Sequence, residues 1–517
     1  LTFARRLTDT RFGQSLLALA AGAALALAFA PWNLWPLAIL APAMLFALWR
    51  DATPRRAAWL GFCFAFGLFA LGTWWLYVSI RIFGQAPLWI ALLLMLGLVC
   101  IMALYHALLG WCVARWLPTR GALALLGALP AAWTLVEWWR SWFLSGFGWL
   151  AFGYSQTDTW LAGFAPIGGT HFVSWLLLVM AGACVLLWHG RPHARLAAVT
   201  ALVLPWPAGA ALQNLDWTRA AGAPVEVAVL QGAVPQDLKW LETNRDTTLD
   251  LYAGLAREAM GTPLIVMPEA ALPDLANNLL PFLRRLAADA GESGSALVLG
   301  ILRAEPGASG ELEYFNSVLA LGEEVAWYDK HHLVPFSEFF PVPPFVRRWL
   351  RLLSLPYSDF TRGARTQPAL PAAGLLLAAS ICYEDAYPAT QRSTVRASTA
   401  LVNVTNDAWF GRSSARYQHL QISRFRALES RRWLIRAAND GVSAVLSPHG
   451  QVVAAAPEYE RALLRSTVIP RVGDTPWLVV GHWPVLLVCV MLTGVAAWRR
   501  RRDGRVPAAE LSGERSV

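Results

Sequence analysis

A helical membrane bundle carrying one water-facing α/β domain is the fold class predicted for this 517-residue chain, and three observations predict it. Hydrophobic residues make up 56% and charged residues 15%, and the apolar excess lies in long blocks instead of being spread evenly. The connections between those blocks alternate between Arg-rich and Arg-poor. The one long stretch of ordinary composition, residues 213–474, alternates β-rich runs with helix-compatible ones. The chain therefore divides into an N-terminal transmembrane bundle (1–212), an extracytoplasmic domain (213–474), a C-terminal transmembrane helix (475–498) and a cytoplasmic tail (499–517).

A hydrocarbon core of about 30 Å needs roughly 20 apolar residues as helix. About eight runs are candidate spans: 13–30, 34–48, 57–78, 88–111, 121–136, 168–188, 194–212 and 475–497. The second and fifth are short for the task. Arg5, Arg6 and Arg11 precede the first span; Arg50, Arg55 and Arg56 follow the second, Arg115 and Arg120 the fourth, and Arg191 and Arg195 the sixth. Arg499 to Arg502 follow the last, whereas the intervening loops hold only Arg81 and Arg140. By the positive-inside rule both termini are cytoplasmic and the 213–474 domain lies outside. The first run reads as the first helix of the bundle and not as a cleavable signal peptide, since further spans follow it directly.

Charge excludes a polyanion-binding class. The net charge is +9, but residues 213–474 carry 25 Lys+Arg against 27 Asp+Glu. The surplus sits beside the spans, where it sets topology, and no basic groove with interleaved aromatics points to nucleic acid.

Within the domain, 225–230 (VEVAVL), 263–267, 296–302, 316–321, 375–381 and 400–404 read as strands, and 241–260, 276–290 and 416–432 as helices. Runs 443–446 and 452–455 flank Ser447-Pro448-His449-Gly450 and read as a hairpin. The segment 339–355 departs from this pattern: it is aromatic, apolar and rich in Arg. It reads either as an arm in the membrane interface over the site or as a surface loop and helix packed on its own domain.

Three residues stand out chemically. Five of the six cysteines lie in predicted spans or, for Cys112, directly at the end of one, where a thiol is a small packing group; Cys382 alone lies in the domain. With no partner for a disulfide, and placed just after a β run, it is a candidate nucleophile at a strand-to-helix turn. The 43 basic residues include two lysines, Lys239 and Lys330. Lys330 keeps a compact ammonium in an Arg-dominated chain, within YDKHHLVPFSE; Lys239 reads as chance. Glu269 follows a buried β run in MPEAALP and is placed for proton transfer at a sheet end. His331 and His332 have no companion ligands at metal-binding spacing. Glu137 and Arg140, at the outer end of the fifth span, read as an interfacial ion pair, with contact to a lipid headgroup as the alternative.

Those segments together resemble the nitrilase superfamily, with Glu269, Lys330 and Cys382 in the order of its Glu, Lys and Cys, and Glu338 at the place of a second, positioning glutamate. The resemblance implies an α-β-β-α sandwich. Embedding among spans, with QG…PQ…KW (231–240), GFGWLAFGYSQ (146–156) and NVTNDAWFG (403–411), makes the chain similar over nearly its whole length to the bacterial apolipoprotein N-acyltransferase family. Trp240, Tyr383 and Glu384 match further positions that matter for activity in that family. The implied reaction moves an acyl chain from a phospholipid to the α-amine of a diacylglyceryl-modified cysteine on an apolipoprotein, through a thioester on Cys382. It requires no cofactor and takes place in the bacterial inner membrane, with the catalytic domain periplasmic.

Two other readings use the same residues differently. A membrane-anchored nitrilase-type amidase acting on a small amide needs the Glu, Lys and Cys but no access for lipid. A transporter with an external binding domain predicts paired charges within the spans, where apart from Glu137 there are almost none.

Overall fold

The computed structural model describes residues 10–307, 310–339 and 360–503. The segment 339–355 therefore lies, apart from Phe339, outside the described residues.

Apolar helices form at every expected span. They are α1 (Arg11–Ala26), α2 (Leu37–Trp49), α3 (Pro54–Gly72), α4 (Leu88–Trp116), α5 (Leu129–Arg140), α6 (Ala165–His189), α7 (Pro192–Gln213) and a last helix, Trp483–Asp503. Length and composition alone qualify four helices among the described residues to cross a membrane, and five if α3 and the helix bent 52° from it count as one span. The first two are short, at 16 and 13 residues. The fifth is divided by a π-helical stretch, Leu123–Ala128, ahead of α5. Small residues let the helices pack closely: a Cβ on Gly22 of α1 would stand 1.7 Å from the Phe64 carbonyl oxygen of α3. Leu93 and Leu104 of α4 and Leu196 and Val203 of α7 face outward, as a lipid-contacting surface requires.

The Arg-rich connections gather at one end of the bundle. Arg120 pairs with Asp51, the Thr119 hydroxyl donates to the Arg50 carbonyl, and Arg500 donates to the carbonyls of Ala114 and Leu117.

The second half is a two-sheet sandwich. Its strands are β1 (Val225–Gln231), β2 (Leu264–Met267), β3 (Ala296–Pro306), β4 (Leu312–Leu321), β5 (Val325–Asp329), β6 (Leu370–Ala372), β7 (Leu375–Ile381), β8 (Ala400–Thr405), β9 (Leu434–Ala438), β10 (Ala444–Leu446), β11 (Val452–Ala455) and β12 (Ala462–Val468). One six-stranded sheet runs β12-β1-β2-β3-β4-β5 and the other β11-β10-β9-β8-β7-β6. The pairs β1–β2, β2–β3, β7–β8 and β8–β9 are parallel.

Period-2 side-chain alternation explains the layering. Val227, Val229, Leu264 and Val266 point between the sheets to meet Leu377, Ile381, Val402 and Ile435. Ala228, Leu230, Ile265 and Met267 point outward under α8 (Glu242–Ala259) and α9 (Leu280–Glu292). Beyond the other sheet lie α10 (Pro388–Arg396) and α11 (Ala415–Ser430). Both faces of each parallel core are covered, which is why these strands are mostly apolar; buried exceptions such as Ser380, Asn403 and Arg436 have hydrogen-bond partners. The architecture is the α-β-β-α sandwich that the resemblance implied.

The helix α11 joins the two halves. Ala427 packs on the sheet, whereas Ile422, Phe425 and Leu428 belong to the core of the bundle. Its polar residues tie the same joint: Gln418 accepts the Trp149 indole N–H at 2.7 Å, Gln421 accepts the Ala30 N–H at 3.2 Å, and Arg424 pairs with Asp158.

Candidate active site

Cys382 is the first residue past β7 and opens a 3₁₀ turn, Cys382–Ala386. Its φ is +51°, a conformation that costs a non-glycine residue about 1 kcal/mol or more. Such a tight elbow turns the side chain out of the sheet at the ends of the parallel strands. The thiol is buried, with Thr405 at the end of β8 beside it. Burial, and next the charge of Glu269, push it well above the ordinary cysteine value, with Lys330 opposing them. The resting group is thus a protonated thiol that needs a base.

Glu269 follows β2 by two residues, and Lys330 follows β5 directly. Glu269 Oε1 accepts the Asn316 side-chain N–H at 2.8 Å and lies 3.5 Å from Lys330 Nζ. Lys330 Nζ also donates to Glu338 Oε1 at 2.8 Å, and Glu338 Oε2 accepts the Val334 N–H at 2.8 Å. Asn316 bridges the two carboxylates, donating to Glu338 as well at 3.1 Å, while its carbonyl accepts the Lys330 N–H at 2.8 Å. Burial works against the Lys330 ammonium, but Glu338 and then Glu269 outweigh it and hold the group well above its ordinary value. It stays charged at any working pH.

Glu384 ties these elements together. Its carboxylate accepts the N–H of Ile381 at 2.9 Å, of His331 at 2.8 Å and of His332 at 3.1 Å, and the Tyr328 hydroxyl at 2.9 Å. The turn bearing Cys382 and the segment bearing Lys330 are thereby fixed to one carboxylate. Burial pushes that carboxyl up to about 7 against these donors. Tyr383 faces the bundle: its ring stacks on Trp149 at 6.3 Å and its hydroxyl donates to the Gly146 carbonyl at 3.3 Å. Trp240 is not drawn into the cluster; it is 48% exposed, with its ring 6.0 Å from Lys239 Nζ.

The 146–149 loop is itself held from within the bundle. Arg140 is buried and donates to the carbonyls of Phe147 at 2.6 Å and Trp149 at 2.9 Å, and Glu137 accepts the Phe152 N–H at 3.1 Å. Both expectations for this pair gave it an interfacial position; instead it is an internal clamp on the loop that meets Tyr383.

A second network lies behind the elbow, and of its members Asp407 alone falls in a segment the sequence singles out, 403–411. His419 of α11 bonds the Cys382 carbonyl through Nε2 at 3.0 Å and Asp407 through Nδ1 at 2.9 Å. Arg436 of β9 donates to Asp407 at 2.8 Å and to Ser423 at 2.9 Å, and Ser423 donates to Asp385. His419, Ser423 and Arg436 are polar residues in otherwise helical or apolar runs, so no local spacing announces them. His331 and His332 are engaged structurally, on the Gly363 carbonyl at 2.8 Å and the Thr390 hydroxyl at 2.6 Å. Among the described residues, no group of three or more His, Cys, Asp or Glu is placed to hold a metal ion.

Comparison with known proteins agrees with this organisation. Residues 21–183 match the family model of the apolipoprotein N-acyltransferase N-terminal domain, and residues 226–475 match that of carbon-nitrogen hydrolases. Apolipoprotein N-acyltransferase of Azotobacter vinelandii is 41% identical over 99% of this chain and 100% of its own length. The Pseudomonas putida protein of that name is 40% identical over 95% of this chain and 98% of its own, and the Pseudomonas aeruginosa protein 42% identical over 91% and 93%. With such identity sustained across both halves, the chain belongs to the apolipoprotein N-acyltransferase family, the membrane-embedded branch of the nitrilase superfamily.

Proposed function

We propose that the chain transfers an acyl chain from a phospholipid to the N-terminal α-amine of a diacylglyceryl-cysteine apolipoprotein, with Glu269, Lys330 and Cys382 as the catalytic residues. The observation that carries this reading is the placement of the one thiol of the sheet domain. It lies at a strained elbow within the fields of Glu269 and Lys330, and that elbow abuts the helical bundle through Tyr383 and Trp149.

The chemistry follows from the proton balance. Glu269 takes the thiol proton as the Cys382 sulfur adds to the ester carbonyl carbon. The Lys330 ammonium faces the oxyanion, an interaction that in a dry site is worth about 3 kcal/mol. The C–O bond breaks, the leaving lysophospholipid alkoxide takes the proton back from Glu269, and a thioester remains. The acceptor amine then adds to the thioester and gives a proton to Glu269. The C–S bond breaks, and Glu269 reprotonates the thiolate. Glu338 and Asn316 keep Lys330 and Glu269 in register, and Glu384 fixes the Lys330 segment to the elbow.

The gathering of Arg-rich connections at one end of the bundle supports a multi-pass bacterial inner-membrane protein. In this topology both termini are cytoplasmic, the catalytic domain is periplasmic and there are eight crossings.

The test is a transfer assay in detergent micelles holding phospholipid with labelled acyl chains and a diacylglyceryl-cysteine peptide. Label joined to the peptide amine as an amide is expected. Label released only as free fatty acid, or turnover of a small amide alone, would favour the amidase reading and end this one.

Backbone packing gives a further expectation. A Cβ on Gly300 would stand 2.5 Å from the Glu269 Cα and 2.6 Å from the Pro268 carbonyl oxygen. Since neither can yield without moving the base, Gly300→Ala is expected to lower the transfer rate roughly 100-fold with the domain still folded. Steady-state rates read beside a thermal midpoint check it.

A further inference from the structure

Of the 43 basic residues, two are lysines, and both end at Glu269. Lys330 reaches its carboxylate; Lys239 Nζ donates to its main-chain carbonyl oxygen at 3.2 Å. In the sequence alone Lys239 reads as chance, yet the residue is 1% exposed. A buried ammonium costs several kcal/mol unless opposite charges compensate it, so a lysine is not kept there by packing alone.

The turn that delivers Lys239 is firmly anchored. The Lys239 N–H donates to the Pro235 carbonyl at 3.0 Å. Asn439 holds Val234 at both main-chain groups, accepting its N–H at 3.1 Å and donating to its carbonyl at 2.8 Å. Asn406 donates to the Gln236 side-chain oxygen at 2.7 Å. Asn406 and Asn439 immediately follow β8 and β9, so the second sheet holds a segment of the first and aims its ammonium at the residue carrying the base.

Charge balance adds a second reason. The charged groups facing Lys239 are Glu269 and Asp440. Those around the Glu269 carboxylate are Lys330, Glu338 paired to that lysine, and the Cys382 thiol. Without Lys239, two carboxylates would share one cation in a buried space. Burial pulls Lys239 down to about 8, with Glu269 and Asp440 opposing, so it carries its charge at neutral pH.

We propose that Lys239 is a positioning residue for Glu269, fixing the main chain that carries the base and supplying the second positive charge beside its carboxylate. The inference rests on the reading of Glu269 as the base. The experiment is single-turnover acylation of full-length enzyme by mixed micelles of phosphatidylethanolamine and phosphatidylglycerol, followed by intact mass across a pH series. Lys239→Met is expected to slow acylation roughly tenfold at neutral pH and to move the acidic limb of the rate profile up by about one pH unit. Lys239→Gln, which keeps a donor for the carbonyl but lacks the charge, is expected to show the same displaced limb. It decides the matter alone if the methionine variant does not fold. A wild-type profile in the variants, or a slower rate whose limb has not moved, overturns the proposal. Failure of the wild type itself to form an acyl-enzyme overturns the underlying reading of Cys382, and this one with it.

Discussion

Cys382→Ala is expected to abolish acyl transfer, lowering the rate by roughly 10⁴-fold or more, because no other group in the site can form the covalent intermediate. The fold should survive the change. The elbow is held through the Cys382 main chain, whose carbonyl is bonded by His419, and through Glu384 on the Ile381 N–H. The thiol lies beside Thr405, whose hydroxyl donates to Asp407 at 3.2 Å and keeps that partner in the variant. Alanine adopts the same positive φ at a cost no greater than that of cysteine. Labelled transfer measured beside a thermal midpoint separates the two effects: lost transfer with an unchanged midpoint is the expected pair of results.

Lys330→Met should be nearly as damaging, for two reasons that different measurements resolve. The first is the loss of the donor facing the oxyanion, expected to lower the rate roughly 10²–10³-fold. The second concerns the resting protein. Glu269 and Glu338 would face each other with only Asn316 between them, and breaking a buried ion pair from one side costs about 3–5 kcal/mol. In the wild type the Lys330 ammonium has a raised folded value, so its stabilising contribution is fully present below the ordinary lysine value and is lost only at strongly alkaline pH. In the variant the crowded carboxylates favour binding a proton. Its thermal midpoint is therefore expected to rise as pH falls from about 7 to about 5. A midpoint that falls over that window would show that Lys330 does not compensate the pair.

The apolar blocks and the domain between them were legible because both signals are long. The strand at 375–381 agrees with β7, and the Cys382 elbow follows where a lone thiol after a β run suggested it. The expected helix at 276–290 begins instead at Leu280, since Pro281 fits the first turn of a helix and not its interior. The helix expected to run to 432 stops at Ser430 because Arg431 turns left-handed at φ +52°. β5, β6, β9 and β12 carry no strand signal of their own in the sequence. Leu434–Ala438 follows two arginines, Arg431 and Arg432, and holds Arg436 within it, and the burial of that charge depends on Asp407 and Ser423, far off in sequence. The same non-local logic hid Asn316, which reads as one polar residue in a strand and is in fact the bridge between two carboxylates. What spacing could reveal was the set of chemically unusual residues; their supporting partners are set by which strands lie side by side.

The central claim is a thioester on Cys382, and intact mass spectrometry of the purified enzyme incubated with phospholipid alone tests it most directly. The account predicts a mass increase of one acyl chain, removed by neutral hydroxylamine and absent from Cys382→Ala. Formation of acylated peptide product by an enzyme that never carries this adduct, or an adduct that persists in Cys382→Ala, would contradict it.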